Sequence, residues 1–561
     1  NVAHRTNYVT GEKMTKTEVD AIVIGSGAGG LTAAVCLAQA GLKVIVCEQH
    51  NMAGGWCHSF TLQGYRFSPG VHYIGGLQPG GSLRRVYEGL GVSRDLTFCE
   101  LNPDGFDHIV IGDEQFDIPK GKDNFAARLK ARFPHEKKGI DGYLDAVSDI
   151  MWKLRKAVSV KSVGGAAQLL SRSPALVRWG LRSGQDLIEH YVSDPLLKAI
   201  LAGQSGDHGS PPSLVSATIH AGIVHHYFEG AYYPLGGGFA IPRAFVRALK
   251  RAGGEIMLKA RVARILLEGR RAIGVQLEDG TEIRARYVVS NADPEVTLGQ
   301  LVGREHLSKR LRRKLDRVRY SVSCLSLFLA VDMDLRTAGL DSGNYWLYDH
   351  EDLNLIYQQG MTDHALKAET PPAFFLTATT LKDPSKMHSG HHTLEAFTFV
   401  GYDAFKKWAR EETGRRSVDY RTLKGQLADQ MLAGLDKHVP GLRERVVFCD
   451  IGTPLTNEQF IGVTYGSLYG IEKSRFQVGP GAFPIRTELD GLYMCGASTL
   501  SHGVSGVTAS GLAAARKILN CRTSELLQMK GPEIRIYPSE DISQWPENLQ
   551  KKIQRGQKRT R

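Results

Sequence analysis

Nowhere in the 561 residues do the roughly 18 consecutive apolar residues of a bilayer-spanning helix occur, so the sequence predicts a chain that is soluble or lies on a membrane surface. None of the eight cysteines stands in a CxxC pair. Cys47, Cys324, Cys449 and Cys495 fall within or beside apparent core strands, the pattern of buried free thiols in a reducing compartment rather than of a disulfide framework. Metal-ligand spacing is missing too. The adjacent His225 and His226 would alternate sides on a strand and have no carboxylate or cysteine placed nearby, so no metal is expected. The net charge of +12 comes without a nucleic-acid module or zinc spacing, which points to an anionic surface such as a membrane and away from nucleic acid.

Acids are absent from residues 152 to 185. That stretch carries Lys153, Arg155, Lys156, Lys161, Arg172, Arg178 and Arg182, interleaved with Trp152, Leu169, Leu170, Leu176, Val177, Trp179 and Leu181. A basic amphipathic stretch with tryptophan suits the interface of an anionic bilayer, and a solvated helix face is the alternative. The chain starts at Asn1 rather than methionine, so its true N-terminus and any targeting segment stay open.

What is present begins at Ala21. The apolar run Ala21 to Ile24 ends in Gly25-Ser-Gly27-Ala-Gly-Gly30, a small-residue helix follows from Leu31 to Gly41, and a second apolar strand, Lys43 to Cys47, ends at Glu48. This is a dinucleotide fingerprint in its required strand–turn–helix–strand setting. The glycines allow a tight turn, close approach of a pyrophosphate and close helix packing, while Glu48 accepts hydrogen bonds from the adenosine ribose hydroxyls. Gly54 and Gly55 follow closely, where backbone can pass near phosphates and a ribityl chain.

A chain of this length calls for more than one module. Residues 1–18 read as a polar tail. Residues 19–125, 226–295 and 446–520 read as a discontinuous α/β dinucleotide domain, with a helix from about 242 to 252 and a meander of strands between 255 and 290. Residues 126–225, helical by their three- and four-residue apolar spacing, and 296–445, with strands at Ser321–Val331 and Pro372–Thr379, read as an α+β substrate domain; residues 521–561 read as a mobile, polar, basic tail.

The last module repeats the opening logic. The strand Gly491-Leu-Tyr-Met-Cys ends at Gly496, and a glycine-punctuated loop from Ser501 leads into a helix. Two grips suit FAD better than NAD: the N-terminal unit holds the ADP half, the Gly496 loop approaches the ribityl chain, and the helix beginning near Gly506 aims backbone N–H groups at the flavin, where reduction builds negative charge.

Glu48-Gln-His, Ala53-Gly-Gly-Trp-Cys-His-Ser-Phe, Gly70-Val-His-Tyr-Ile-Gly, Tyr232-Tyr-Pro-Leu-Gly-Gly, Ser290-Asn-Ala and Thr453-Pro-Leu-Thr-Asn together resemble the retinol saturase branch of the carotenoid isomerase and phytoene desaturase flavoproteins, over roughly residues 20 to 520. The resemblance implies a Rossmann-like FAD-binding domain of the glutathione-reductase/amine-oxidase type. It implies FAD contacts at Gly25, Gly27, Gly30, Glu48, Gly54 and Gly55, at the backbone of Val262, and at Gly496, Ala497, Gly506 and Val507. Two positions depart from the pattern. Trp56 stands where many relatives carry arginine and Ala497 where many carry an acid, so a ribityl hydrogen bond is lost or passes to Ser498; the run Gly496-Ala-Ser-Thr is closer to bacterial phytoene desaturases.

The implied chemistry acts on C=C bonds of a hydrophobic polyene, a retinoid or carotenoid, by saturation, desaturation or cis–trans isomerisation, with NAD(P)H as a possible electron donor and a peripheral membrane surface as partner. By the same analogy the Gly70 loop lies beside the flavin, making His72 and Tyr73 the candidate proton donor or positioning residues; a purely hydrogen-bonded loop role for His72 is the alternative. Cys57 reads as a packed thiol. Two rival functions share the architecture: an amine-oxidase-like flavoenzyme and a non-catalytic lipid-binding escort similar to the Rab GDP-dissociation inhibitors.

Overall fold

The structure, a computed structural model, describes residues 17–157 and 174–558. The centre of the basic stretch, 158–173, and most of the N-terminal tail lie outside the described residues.

Two seven-stranded sheets organise the chain. Residues Ala21 to Val23 and Val44 to Cys47 are buried without alternation, as strands covered on both faces must be. They sit at the centre of the first sheet, whose order is Val262–Glu268, Arg271–Leu277, Glu282–Ser290, Thr17–Ile24, Val44–Cys47, Glu255–Met257, with Leu492–Met494 added beside Glu282–Ser290. The central pairs are parallel and the 262–290 meander is antiparallel. Glu255–Met257 leaves the expected meander and runs parallel to Val44–Cys47 at the opposite edge. There the Met257 carbonyl accepts the N–H of Glu48 at 2.9 Å and fixes the end of that strand.

The second sheet runs Val446–Gly452, Ser323–Val331, His392–Val400, Ala373–Ala378, Asn344–Tyr348, Asp107–Ile111, Glu114–Ile118. Its two outer parts, 107–118 and 446–452, belong by sequence boundary to the dinucleotide domain, so the chain crosses between modules more often than its composition indicates. Period-2 alternation sorts its faces. Leu325, Leu327 and Leu329 pack with Leu427, Met431 and Leu435 of the helix Val418–His438. Residues between them, Cys324 and Ser326 on one strand and Phe397 on the next, face a cavity shared with the first sheet. Helices Lys122–Arg132, Lys137–Ala157, Gly184–Tyr191, Pro195–Ala202 and Ala217–His226 contribute to the core holding Trp346, Phe375 and Phe397. His225 and His226 therefore close a helix rather than alternate on a strand.

The C-terminal segment corrects the expectation of a mobile tail. Arg535–Pro538 pairs in parallel with Thr97–Glu100, and the helix Glu547–Gln557 follows. Trp545 and Ile553 are buried against Cys99, and the Trp545 indole N–H donates to the Pro538 carbonyl at 2.7 Å. A few apolar side chains in a polar segment suffice to dock it. Cys449 also departs from expectation: it is exposed on an edge strand, while Cys47, Cys324 and Cys495 are buried and free. Among the described residues no helix is long and apolar enough to cross a membrane.

Candidate functional site

A cavity of about 790 Å³ lies between the two sheets. At one end the fingerprint turns into it. Gly25 adopts φ +87° and donates its N–H to Cys47 at 2.9 Å, so the turn crosses from one parallel strand to its neighbour in a conformation that favours glycine. Gly25, Gly27, Glu48, Gly54, Gly55 and Val262 line this end, whereas Gly30 is packed within the turn against Val23 and Asn291. A Cβ on Gly27 would meet the Asn291 amide nitrogen at 2.6 Å, which shows how closely this cradle is drawn.

Glu48 is 6 % exposed, and its carboxylate accepts from the Ser26 N–H (2.9 Å), the Ser26 hydroxyl (2.5 Å) and the His50 N–H (2.9 Å). Ser26 in turn accepts the Gly54 N–H at 3.1 Å. One hydroxyl thus ties the two glycine segments to the acid. Sequence reasoning passed over Ser26, whose only signal is a hydroxyl at the variable position of the fingerprint.

At the other end Gly496, φ +91°, donates its N–H to the Ser510 hydroxyl at 2.8 Å, and Gly496, Ala497 and Ser498 form the wall. The helix that follows spans Gly503–Leu519, starting earlier than the sequence suggested, and Gly503, Val504 and Val507 line the cavity. Gly506 is instead packed against Ser501. This helix lies against Ala28–Gln39 with Gly511 seated on the Gly29 carbonyl, and glycine on both sides permits that approach. The N-terminal turns of both helices consequently open into one cavity, each with orphan N–H groups and the positive end of its dipole.

His72 and Tyr73 part company. His72 lines the cavity beside the stacked rings of Phe375 and Phe397, with centroids at 5.0 and 6.1 Å from its own. Its Nε2 lies 3.1 Å from the Glu395 carboxylate, whose other oxygen accepts the Ser68 N–H at 2.8 Å. A carboxylate only accepts, so this partner assigns the proton to Nε2 and leaves Nδ1 an acceptor. Burial pushes the His72 pKa below its ordinary value, against the opposing pull of Glu395, so the ring is neutral near pH 7. Lys382, fully buried, donates to the His72 carbonyl at 2.8 Å and holds the loop from below.

Tyr73 points the other way. It stacks on Tyr227 at 4.4 Å and donates to Asp207 (2.6 Å), with Asp107 at 3.1 Å, away from the cavity wall; this corrects its placement as a candidate catalytic residue. The chain bends at His72, and the two neighbouring side chains leave this loop on different sides. Glu395 was missed. Its local signal was a lone acid between Leu394 and Ala396 in an apolar strand.

The family model for flavin containing amine oxidoreductases matches residues 28–519. An all-trans-retinol 13,14-reductase of Danio rerio is 31% identical over 528 residues, 90% of this chain and 86% of that protein. A chloroplastic prolycopene isomerase of Daucus carota is 28% identical over 516 residues, 89% of this chain and 80% of that protein. The crystal structure of an oxidoreductase from Methanosarcina mazei is similar with a TM-score of 0.60 at 16% identity, covering 90% of this chain and all of the other, a likeness of fold.

Proposed function

Because this chain belongs to the flavin containing amine oxidoreductase family, we propose that it binds FAD and acts on C=C bonds of a hydrophobic polyene, a retinoid or carotenoid, by saturation, desaturation or cis–trans isomerisation. The observation that carries the reading is the convergence of two glycine-opened helix N-termini on one cavity whose far wall holds Phe397, Leu468 and the His72–Glu395 pair. The relatives named for retinol and prolycopene supply the substrate class.

The residues fit the cofactor. Glu48 would meet the ribose, Gly25 to Gly29 and Gly54-Gly55 would leave backbone bare for the pyrophosphate, Val262 would border the adenine, and Gly496 to Ser498 with the Gly503 helix start would hold the flavin end. When bound, FAD supplies the two-electron chemistry. The chain supplies placement, a dry apolar wall and a proton site. A polyene double bond has no polar handle, so shape against Phe397 and Leu468 must position it. His72 accepts a proton at Nδ1, Glu395 offsets the resulting charge at Nε2, and the same Nδ1 delivers the proton to the reacting carbon. NAD(P)H belongs to this reading as the electron donor for saturation.

A membrane surface as the source of the apolar substrate is part of the same proposal. Trp152 (53 %), Val177 (64 %) and Leu181 (73 %) are exposed beside Arg155, Arg178 and Arg182. Binding to anionic vesicles at low salt that weakens with added salt is expected; no binding at low salt removes this element.

The test of the whole is an absorbance spectrum of the purified protein, then anaerobic incubation of the reduced protein with all-trans-retinol and with poly-cis-lycopene and chromatographic identification of products. A shifted or shortened polyene chromophore is expected. Flavin reduction by an amine with every polyene unchanged would return the reading to an amine oxidase, and a protein that takes up no FAD would leave the lipid-binding escort.

A further inference from the structure

Lys473 follows the cavity-wall residues Tyr469 and Gly470, and is only 2 % exposed. Its Nζ donates to the Ala497 carbonyl at 2.5 Å, one peptide behind the wall formed by Gly496 to Ser498. The segment is pinned from several directions: Ser216 donates its N–H to the Lys473 carbonyl at 2.8 Å, Glu472 to Arg319 at 2.8 Å, and Ile471 to the Ser498 hydroxyl at 3.2 Å. Lys473 therefore cannot swing to solvent without dismantling this corner.

No carboxylate among the described residues pairs with it. Of the titratable groups around it, Glu472 on its own segment turns to Ser474, and Asp207 from the turn Gly203–Asp207 gives its carboxylate to Tyr73. His502, at the start of the Gly503 helix, donates from Nε2 to the Asp207 carbonyl at 2.8 Å, which leaves its buried Nδ1 an unpartnered acceptor. His208, buried behind His502, has no partner at either ring nitrogen. Lys473 and His502 thus lie together in a buried corner, with no carboxylate among the described residues assigned to either. Burial pushes Lys473 down to about 7 and His502 to about 3, so the lysine is poised to change charge while the histidines stay neutral.

We propose that Lys473 is the charge partner of the redox group held in this cavity, taking a proton from solvent when two-electron reduction leaves negative charge on that group. The inference rests on the flavin reading above. Reduction by dithionite puts two electrons and one proton on the cofactor, a net gain of one negative charge; the second proton goes to the neutral Lys473 amine, which becomes an ammonium. Electroneutrality is restored across the Ala497 peptide, at a position where the Ala497 methyl has no polar group to offer. Lys473 is thereby a positioning residue for charge and makes no claim on the substrate.

The test is the midpoint potential of FAD-loaded wild type, Lys473→Met and Lys473→Arg, by dye-coupled dithionite titration across about pH 7 to 9, the interval just above the lysine's depressed value. Wild type is expected to take up about two protons per two electrons; both variants take up one. Lys473→Met is expected to disfavour reduction at least tenfold, about 30 mV for a two-electron couple, and Lys473→Arg, which keeps a fixed charge, to recover that loss without the extra proton. A wild-type slope of one proton overturns the proposal without any variant, as does a Lys473→Met protein with wild-type potential and slope. In both cases the flavin spectrum is intact and the function proposed above stands; a wild type that takes up no FAD overturns that function and this inference with it.

Discussion

His72 is the side chain on which the proton chemistry turns, and Glu395 is what makes its geometry reproducible. With Nε2 held to Glu395 at 3.1 Å, the ring is fixed as one tautomer and one rotamer. Replacing Glu395 by Gln keeps the volume and the contact to Ser68 but removes the charge that offsets a protonated ring. Glu395→Gln is expected to lower turnover of a polyene by about 10²-fold, the lower end of what general acid–base groups contribute, while the flavin spectrum stays unchanged. His72→Asn is expected to do the same, and the double variant to be no worse than either single one, since the two act as a unit. Additive losses in steady-state kinetics would show that Glu395 acts on its own. The proton-transfer profile belongs at this scale too. Because His72 must carry the proton it delivers and burial holds its pKa below the ordinary value, kcat/KM for saturation is expected to fall as pH rises through a value below 6.5, and Glu395→Gln to move that fall to still lower pH by removing the stabilising carboxylate.

At the scale of elements, the dinucleotide unit was legible because all its signals are local: an apolar run, glycines at fixed spacing, a small-residue helix and an acid at the next strand's end fall within Ala21 to Glu48. The pairing of that unit with the C-terminal helix was legible from a second glycine-ended strand. What was hidden depends on contacts far apart in sequence. Glu395 reaches His72 across 323 residues, Asp107–Ile111 joins the second sheet by pairing with Asn344–Tyr348, and Arg535–Pro538 finds its partner at Thr97–Glu100; no periodicity within those segments encodes the partner. Tyr73 was not within reach, since the chain bends at His72 and no strand periodicity runs through this loop. The C-terminal segment misled because composition averages over it, while docking depends on a few side chains. Trp545→Ala is expected to cost about 3–5 kcal/mol, read as a lowered melting temperature, because it empties a buried site and leaves the Pro538 carbonyl unpaired; an unchanged melting temperature would restore the mobile-tail picture. Gly511→Val tests the contact that aligns the two helix starts. Its side chain would collide with the Gly29 carbonyl, and the expected outcome is a melting temperature lowered by the equivalent of about 1–3 kcal/mol together with weakened FAD uptake, since separating the helices moves both grips at once.

The whole molecule carries an unusual load of buried neutral histidine, and its response to acid follows from that. His220 and His226 are held down to about 4 and His502 to about 3, in each case chiefly by burial, and His208 is lowered well below its ordinary value for the same reason. The unfolded chain binds a proton to each near pH 6.5, the folded chain only at lower pH, so the stability these groups permit is complete above about 6.5 and is lost as pH falls toward 4. For His220 alone, 4 % exposed and hydrogen-bonded to Tyr143, the difference amounts to roughly 3 kcal/mol by pH 4. Two acids pull the other way: burial raises Asp107 to about 6 and raises Asp207 as well, so their contribution grows as the medium acidifies. These two share Tyr73 and act as one coupled unit, whereas four histidines are lowered by burial, and the histidines prevail. The melting temperature is therefore expected to fall steadily between pH 6.5 and 4.5, before most surface carboxylates titrate, in calorimetry of the FAD-loaded protein at fixed cofactor concentration. His220→Gln, which keeps a hydrogen-bond partner for Tyr143 but cannot take up a proton, is expected to melt less steeply with acid than the wild type over the same interval. Parallel curves would mean that His220 is protonated in the folded protein, and with it that the helical layer of Lys137–Ala157 and Ala217–His226 admits water where the structure packs it dry.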